Sequence, residues 1–232
     1  MELDLNSIDH VLTTTRTVRK RLDLERPVDR EVLNECLRIG IQAPTGSNLQ
    51  RWRWVVVTDP EKRKLVAEIY GRAIDPYVDI MAEAFENSPE AKPLISSTRY
   101  LSQNLARVPV QVIPCQLGTY EEQRVFLESA RYPYGVSDNM AASGFYGSIW
   151  PAVWSFMVAL RARGLGSALT TMHLAFEREI AEVLGIPETV SQVGLIAVAY
   201  FKGEDFKPAR RRPVEEITYW DSWKKVEPAA AS

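Results

Sequence analysis

The stretch that most limits the folds open to this 232-residue chain is VGLIAVAYF, residues 193–201. It is apolar almost throughout and hardly alternates with polar residues, which predicts a central strand covered on both faces. A second apolar stretch, residues 149–160, has apolar side chains at helical spacing and on most of its remaining surface. This pattern predicts a helix buried nearly all round. A chain of this length with such elements is expected to form one domain, residues 1–232, around a single core.

Capping and breaking residues predict the other helices. The predicted starts are Ser7 for a short first helix, Asp29 for a second that ends near Gln42, and Asp59 with Pro60 for a third. Gly164 is expected to end the buried helix in a left-handed conformation. Residues 75–107 have a helical pattern interrupted by three prolines, which predicts short helices or a mobile lobe above the core. Another short helix is predicted over residues 177–184.

Three further stretches are rich in β-forming residues. They predict strands over residues 54–58, 108–115 and 166–172. Between the last two strands, residues 116–145 are rich in Tyr, Gly and charge and are interpreted as a long excursion. Excursions of this length often cover an active site.

The charge balance excludes some partner classes. The 28 Lys and Arg residues nearly cancel the 30 Asp and Glu residues, and a net charge of -2 supplies no field to attract nucleic acid or an anionic membrane. No apolar run approaches the ~20 residues that span a bilayer. The polar first ten residues lack the basic and apolar regions of a signal peptide. We therefore expect a cytoplasmic protein that binds neither nucleic acid nor membrane.

The cysteines and histidines give little support to other chemistry. Cys36 and Cys115 belong to no CxxC pair and have no histidine nearby in sequence, so they are expected to be buried free thiols and no metal site is predicted. His173 could in principle serve a hydrolase with Ser47 or Ser167. No GxSxG motif accompanies them, and His10 and His173 are better interpreted as helix-surface or satisfied core residues.

Two basic clusters and one loop are candidates for binding. Residues 16–21 and 210–212 could together hold one phosphate monoester, because guanidinium groups offer paired donors, although solvated charge runs give the same pattern. The loop 43–48, with the amides of Asn48 and Gln50, could meet the edge of a planar heterocycle or simply connect a helix to a strand. The sequence GLGS at 164–167 follows a helix and lacks the GxGxxG spacing, so no Rossmann site is predicted.

Four blocks of the sequence resemble the signature blocks of the nitroreductase family. They are TTRTVRKR (14–21), APTGSNLQRWRWVVVTDPEKR (43–63), ALRARGLGSAL (159–169) and RRRPVEEITYWDSW (210–223). The blocks occur in the family's order, whereas residues 75–145 match only loosely. The resemblance implies an α+β sandwich with a mostly antiparallel central sheet flanked by helices. It also implies a homodimer that exchanges C-terminal tails and holds two FMN molecules in its interface.

The resemblance assigns individual residues to FMN. Those implied at the phosphate and ribityl chain are Arg16, Thr17, Arg19, Arg211 and Arg212. Those implied at the isoalloxazine edge or ribityl hydroxyls, some across the subunit boundary, are Pro44, Thr45, Ser47, Asn48 and Gln50. The segment 169–172, which follows Gly166, is implied to pack on the flavin and to offer a backbone N–H to its N5. The residues assigned to FMN here are Gly166, Leu169, Thr170 and Thr171. The family usually has an arginine where Thr15 stands, so Arg16 and Arg19 are implied to carry more of the charge at the phosphate.

The implied activity is that of an FMN-dependent oxidoreductase. It would take hydride from NAD(P)H and reduce a nitroaromatic, a quinone or a similar electron-poor small molecule by a ping-pong mechanism. No catalytic side chain is expected, because the cofactor supplies the reactivity. Two alternatives remain open: a flavin-binding or flavin-sequestering protein without turnover, and a flavin-modifying or reductive dehalogenase relative within the same family.

Overall fold

The computed structural model describes residues 3–223, which divide into two compact units. The larger unit comprises residues 15–204, and the terminal unit comprises residues 3–14 and 205–223. Within residues 3–223, no helix combines the length and the apolar character that a membrane span requires. The single domain over residues 1–232 stays a prediction.

The larger unit is built on one five-stranded sheet. Its strands are β1 (Trp52–Val57), β2 (Val110–Leu117), β3 (Leu165–Thr170), β4 (Val190–Gln192) and β5 (Leu195–Tyr200). The order is β1-β2-β5-β3, with β4 also paired to β2, and every pair of these strands is antiparallel. The predicted α+β class with a mostly antiparallel sheet is therefore confirmed.

β5 lies in the middle of the sheet, as the apolar run 193–201 predicts. It pairs with β2 on one side and with β3 on the other, and its residues are buried except Tyr200. A strand in this position makes both of its ladders and has both faces covered, which is why its sequence does not alternate.

Seven helices of the larger unit accompany the sheet. They are α2 (Arg30–Gly40), α3 (Pro60–Ala84), α4 (Ala91–Asn104), α5 (Tyr120–Ser129), α6 (Asp138–Gly147), α7 (Trp150–Ala162) and α8 (Glu177–Leu184). α7 packs against α2, and the main apolar core joins these two helices to β2 and β5 through side chains such as Cys36, Val112, Phe156 and Ile196. α7 is buried on most of its surface, as predicted, although Trp154 is exposed.

The predicted caps of the larger unit are confirmed. The Asp29 carboxylate accepts a hydrogen bond from Glu31 N, and the Asp59 carboxylate accepts one from Lys62 N. Each satisfies a backbone donor that has no partner within the helix. Gly164 adopts a φ of 74° after α7, the left-handed conformation expected of it.

Two predictions for the middle of the chain are wrong. α3 does not stop at Pro76 but continues to Ala84, with Ile74 and Val78 buried on either side of the proline. That burial offsets the ~3 kcal/mol that an interior proline costs a helix. Residues 116–145 are not one excursion, since β2 extends to Leu117 and α5 and α6 follow.

The terminal unit contains α1 (Leu5–Thr14) and the segment 205–223. The predicted cap Ser7 is wrong: Asp4 holds that role, because its carboxylate accepts hydrogen bonds from Ser7 N and Ser7 Oγ. His10 Nε2 lies 2.7 Å from Asp205 Oδ2, which ties α1 to the C-terminal segment. In that segment the rings of Tyr219 and Trp223 pack with centroids 4.7 Å apart.

Candidate functional site

The basic segment near the start of the chain lies directly on β3. Val18 N donates a hydrogen bond to Ser167 O at 2.8 Å, and Thr17 forms an isolated parallel bridge with Ser167. A β carbon on Gly166 would lie 2.9 Å from Val18 Cβ and 3.1 Å from Leu22 Cδ2. Glycine at position 166 therefore permits this close approach. The contact brings Arg16, Thr17 and Arg19 next to the strand that carries Leu169 and Thr170.

Arg19 is the half-buried charge of this region. Its Nη1 donates to Ser97 Oγ at 3.3 Å, and burial lowers the pKa of its guanidinium. Among residues 3–223, no carboxylate forms an ion pair with Arg19. A cation that is partly withdrawn from water without an anionic partner is well placed to bind an anion or a carbonyl oxygen. Arg16 and Thr17 are exposed beside it.

The end of β3 opens onto a cavity of about 270 Å³. Thr170, Thr171 and Arg19 line it together with Tyr70 of α3 and aliphatic side chains of α3 and α4. Thr170 Oγ1 lies 3.5 Å from Tyr70 Oη, and burial raises the pKa of the Tyr70 phenol. Three of the predicted FMN residues therefore share one cavity.

The sequence reasoning missed Tyr70 and Ser97 in this region, and it also missed Ser148, which contacts Gly46 elsewhere in the chain. Tyr70 belongs to the apolar face of α3, so its periodicity indicates the core. Ser97 and Ser148 had no local signal, because each acts on a segment that is distant along the chain.

The loop predicted to meet the flavin has an unusual backbone. Ser47, Asn48 and Gln50 all have φ near +50°, in the left-handed region that non-glycine residues seldom adopt. Gly46 N donates to Ser148 Oγ at 3.3 Å, and Gln50 Nε2 donates to Asn48 Oδ1 at 3.1 Å. Residues 44–50 are exposed except Thr45, which is half-buried.

The predicted flavin residues of the loop 44–50 and those on or beside β3 lie at different cavities of one chain. Gly46 and Ser47 line a cavity of about 400 Å³ with side chains of α5, and this cavity shares no residue with the one at Thr170. Pro44, Thr45, Asn48 and Gln50 belong to the same loop. The predicted union of both groups around one flavin therefore stays a prediction.

Arg211 and Arg212 belong to the terminal unit. Both are exposed, and Arg211 Nη1 donates to Arg210 O at 3.1 Å. Their predicted convergence with Arg16 and Arg19 on a phosphate also stays a prediction.

His173, Cys36 and Cys115 are buried, and none of them belongs to a catalytic pair or metal site among the described residues. His173 is fully buried, burial lowers its pKa to about 4, and neither ring nitrogen has a hydrogen-bond partner among the described residues. It is a core histidine, but an unsatisfied one, and no Ser47–His173 or Ser167–His173 pair forms. Burial raises the pKa of the Cys36 and Cys115 thiols to about 11 and about 12. No cluster of three potential metal ligands occurs in residues 3–223.

Comparisons with known proteins agree with this fold. A family model described as Nitroreductase family matches residues 12–200. The chain is 29% identical over 217 residues to a protein named NADH dehydrogenase from Thermus thermophilus, covering 90% of this chain and 97% of that protein. It is 23% identical to a 4-nitrobenzoate reductase from Nocardioides sp., covering 94% of this chain and 92% of that protein.

Two solved structures share the fold. A BluB-like flavoprotein from Clostridium difficile 630 matches with a TM-score of 0.68 at 18% identity, covering 95% of this chain and all of that one. An iodotyrosine deiodinase, solved with FMN and 3-iodo-L-tyrosine, matches with a TM-score of 0.62 at 22% identity, covering 92% of this chain and 98% of that one. At these identities the likeness concerns the fold alone.

Proposed function

The chain belongs to the nitroreductase family, and we propose that it is an FMN-dependent enzyme. In this proposal it oxidises NAD(P)H and reduces a nitroaromatic, a quinone or a similar electron-poor small molecule in a ping-pong reaction. The relatives named NADH dehydrogenase and 4-nitrobenzoate reductase support the NAD(P)H-linked oxidoreductase class. When bound, FMN would supply the two-electron chemistry that links the two half-reactions.

The observation that carries this proposal is the uncompensated charge of Arg19. Its guanidinium is half-buried, bonds to a serine hydroxyl and lies at the cavity beside Thr170 and Thr171. A phosphorylated isoalloxazine offers the phosphate oxygens or ring carbonyls that such a group can bind. Gly166 fits the same function, because the close packing it permits holds Arg16, Thr17 and Arg19 beside β3.

The loop 44–50 suits a flavin held between two subunits. Its Asn48–Gln50 contact uses only Oδ1 of Asn48 and Nε2 of Gln50. The other amide atoms of these two side chains can bind flavin carbonyls or ribityl hydroxyls. Because this loop and Arg19 line different cavities of one chain, we assign the loop to the FMN that is held mainly by the other subunit.

The terminal unit supports the homodimer. Ile217, Trp220 and Trp223 are exposed by 60%, 59% and 77%, and a cluster of large apolar side chains on a surface usually marks an interface. We propose that residues 205–223 cover the other subunit and bring Arg211 and Arg212 to the FMN phosphate. The exchanged tail would then make dimer formation and cofactor retention depend on each other.

Absorbance spectroscopy of the purified full-length protein tests the cofactor. We expect flavin bands and, after heat release, FMN. The variant Arg19→Gln should retain less FMN than wild type, whereas Arg38→Gln, at an exposed ion pair with Glu31 on α2, should retain as much. A protein that stays colourless even with excess FMN would refute the proposal.

Anaerobic mixing of the flavin-loaded protein with NADH or NADPH tests turnover. We expect the flavin absorbance to bleach and to return when a quinone or nitroaromatic is added. Retained FMN that neither nicotinamide bleaches would favour the alternative, a flavin-sequestering protein.

A further inference from the structure

A further cavity lies beside α8 and shares no residue with the two cavities described above. We call it the α8 cavity. Its walls are formed by α8, by β4 with the turn before it, by the start of α5 and by Tyr146 near the end of α6. Its volume of about 690 Å³ falls within the ~300–1,000 Å³ typical of ligand pockets. The α8 cavity is therefore large enough to hold a small molecule.

The charges that line the α8 cavity are mostly negative. Four glutamates line it together with a single arginine, Arg178. The glutamates are Glu121, Glu177, Glu182 and Glu188. Among residues 3–223, none of them forms an ion pair with a lysine, arginine or histidine. Burial raises the pKa of the Tyr146 phenol, and the charges of Glu177 and Glu121 raise it further. This excess of negative charge favours a positively charged ligand.

Gln192 adds a buried acceptor that has no donor. This residue of β4 lines the α8 cavity and is only 3% exposed. Its Nε2 donates to Glu177 O and its backbone N donates to Glu177 Oε1, both at 2.8 Å. Its Oε1 has no hydrogen-bond partner in the part of the chain that the structure describes. Because buried carbonyl oxygens usually accept a hydrogen bond, this atom indicates a ligand that carries N–H donors.

Two tyrosines and several aliphatic side chains complete the lining. The Tyr120 hydroxyl donates to Asp138 Oδ1 at 2.8 Å, and the Tyr146 ring packs edge-to-face on Phe145 with centroids 5.0 Å apart. These contacts restrain the two tyrosine rings, and the faces of such rings attract ammonium groups. Aliphatic side chains such as that of Ile186 offer contact surface to methylene groups. The lining therefore suits a ligand that has both ammonium groups and an aliphatic chain.

We propose that the α8 cavity binds an aliphatic polyamine, a chain of methylene groups that carries two or more ammonium groups. The four glutamates come from α5, from α8 and from the turn after α8. Charges distributed in this way suit an extended cation, whereas a metal ion needs several oxygen atoms around one point. Residues 3–223 contain no cluster of three potential metal ligands. In this assignment one ammonium group donates to Gln192 Oε1, and Glu182 and Glu188 hold another.

The polyamine site is separate from the flavin site. None of the residues assigned to FMN lines the α8 cavity. The inference therefore goes beyond the proposed function and adds a binding site for a second class of small molecule. It holds whether or not the protein oxidises NAD(P)H.

Calorimetric titration of the full-length protein with spermidine tests the site. Two comparison ligands are used at the same ionic strength: Mg²⁺, a compact cation, and triethylene glycol, a neutral chain of similar length. Spermidine should bind, and neither comparison ligand should displace it. Glu182→Gln and Glu188→Gln should each weaken spermidine binding about 1.5- to 5-fold, the worth of one exposed ion pair. Glu68→Gln, at an exposed glutamate of α3 outside the cavity, should bind spermidine as wild type does.

The variant Gln192→Met tests the buried acceptor. The loss of a hydrogen bond from a charged donor should weaken spermidine binding about 10- to 100-fold. Because Gln192 also bonds to Glu177 O, thermal unfolding checks that this variant is folded. The variants at Glu182 and Glu188 break no hydrogen bond within residues 3–223, so they test the site even where Gln192→Met fails to fold.

Three results would overturn the proposal. Spermidine binding that is unchanged in both Glu182→Gln and Glu188→Gln would remove the ion pairs. An equal loss in Glu68→Gln, or displacement of spermidine by Mg²⁺, would reduce the effect to attraction by an acidic surface. Unchanged binding in a folded Gln192→Met would show that the ligand does not reach the buried oxygen. In wild type, spermidine should slow hydrogen exchange in residues 177–192 and leave the loop 44–50 unchanged.

Discussion

The contact between Gly166 and the basic segment gives the sharpest test of how the cofactor site is built. In Gly166→Ala the new methyl group would lie 2.9 Å from Val18 Cβ, 3.0 Å from Val18 Cγ1 and 3.1 Å from Leu22 Cδ2. Carbon atoms pack best at roughly 3.5–4.0 Å, so β3 and the segment 15–22 must move apart. Val18 and Leu22 are 4% and 3% exposed and are enclosed by the core, which limits how far they can rotate away.

The expected cost follows from two opposing effects. Overpacking of a core by one methyl group costs about 1–3 kcal/mol. The loss of backbone freedom in the unfolded chain returns about 0.4–1 kcal/mol. Taking the middle of each range, the net loss in the free energy of unfolding is about 1.3 kcal/mol, which lowers the melting temperature of a domain of this size by about 3–5 °C. FMN binding should weaken as well, because Arg16, Thr17 and Arg19 move with the segment.

Thermal unfolding at one fixed protein concentration and titration with FMN measure the two effects. Gly147→Ala is the matched control, since nothing lies within 4 Å of a β carbon at that position near the end of α6. It should unfold at or slightly above the wild-type temperature and bind FMN equally well. Combining Gly166→Ala with Leu22→Ala should cost less than the sum of the two single changes. A Gly166→Ala protein as stable as wild type would refute the packing argument.

Three further results are expected. Arg211→Ala should weaken FMN binding by roughly 1.5–3 kcal/mol, the value of a charge-assisted hydrogen bond; an unchanged Kd in an FMN titration would remove Arg211 from the phosphate site. Truncation before Glu215 should shift the protein from dimer to monomer in analytical ultracentrifugation, and a truncated chain that remains a stable dimer would contradict tail exchange. Burial lowers the pKa of His173 from 6.5 to about 4, so the unfolded chain binds a proton first as the pH falls. Stability should therefore decrease by up to ~3 kcal/mol between pH 6.5 and pH 4, and urea unfolding of His173→Phe should show a smaller decrease.

The sequence predicts best those helices and strands whose structure is determined by residues within the element itself. β5 is apolar along its whole length because both of its faces are covered, and α8 spans residues 177–184 as its periodicity predicts. Asp29 and Asp59 cap their helices through a bond to a residue two or three positions away. These signals are local, so they can be recognised without any knowledge of the fold.

α5 was missed although a local signal for it exists. Thr119 and Glu122 form a capping box, in which each side chain bonds to the backbone N–H of the other residue. This pattern predicts a helix start. The surrounding Tyr, Gly and charged residues are typical of a loop and hide that signal. The continuation of α3 through Pro76 is different, because the sequence predicts a break there and only tertiary burial overrides it.

The candidate site could be predicted in pieces but not as an assembly. Arg19 and Gly166 were each assigned to FMN on the resemblance, whereas the reason for Gly166 is a contact with Val18, nearly 150 positions earlier in the chain. Tyr70 could not be found at all, because on a helix it has the spacing of a core residue. Only the fold places its hydroxyl opposite Thr170 at the cavity.

The backbone of the loop 44–50 fits the proposal that a second subunit completes the site. Left-handed conformations at non-glycine residues cost of order 1 kcal/mol or more each and persist where the surroundings over-determine them. Ser47, Asn48 and Gln50 adopt three of them within four positions, yet all three residues are exposed, and the loop's contact with α6 and α7 runs through Gly46 and Ser148. A subunit interface that encloses FMN would supply the missing constraint. The same loop should therefore become better protected from hydrogen exchange when FMN binds, while α8, which lines neither the cavity at Thr170 nor the one at this loop, should not.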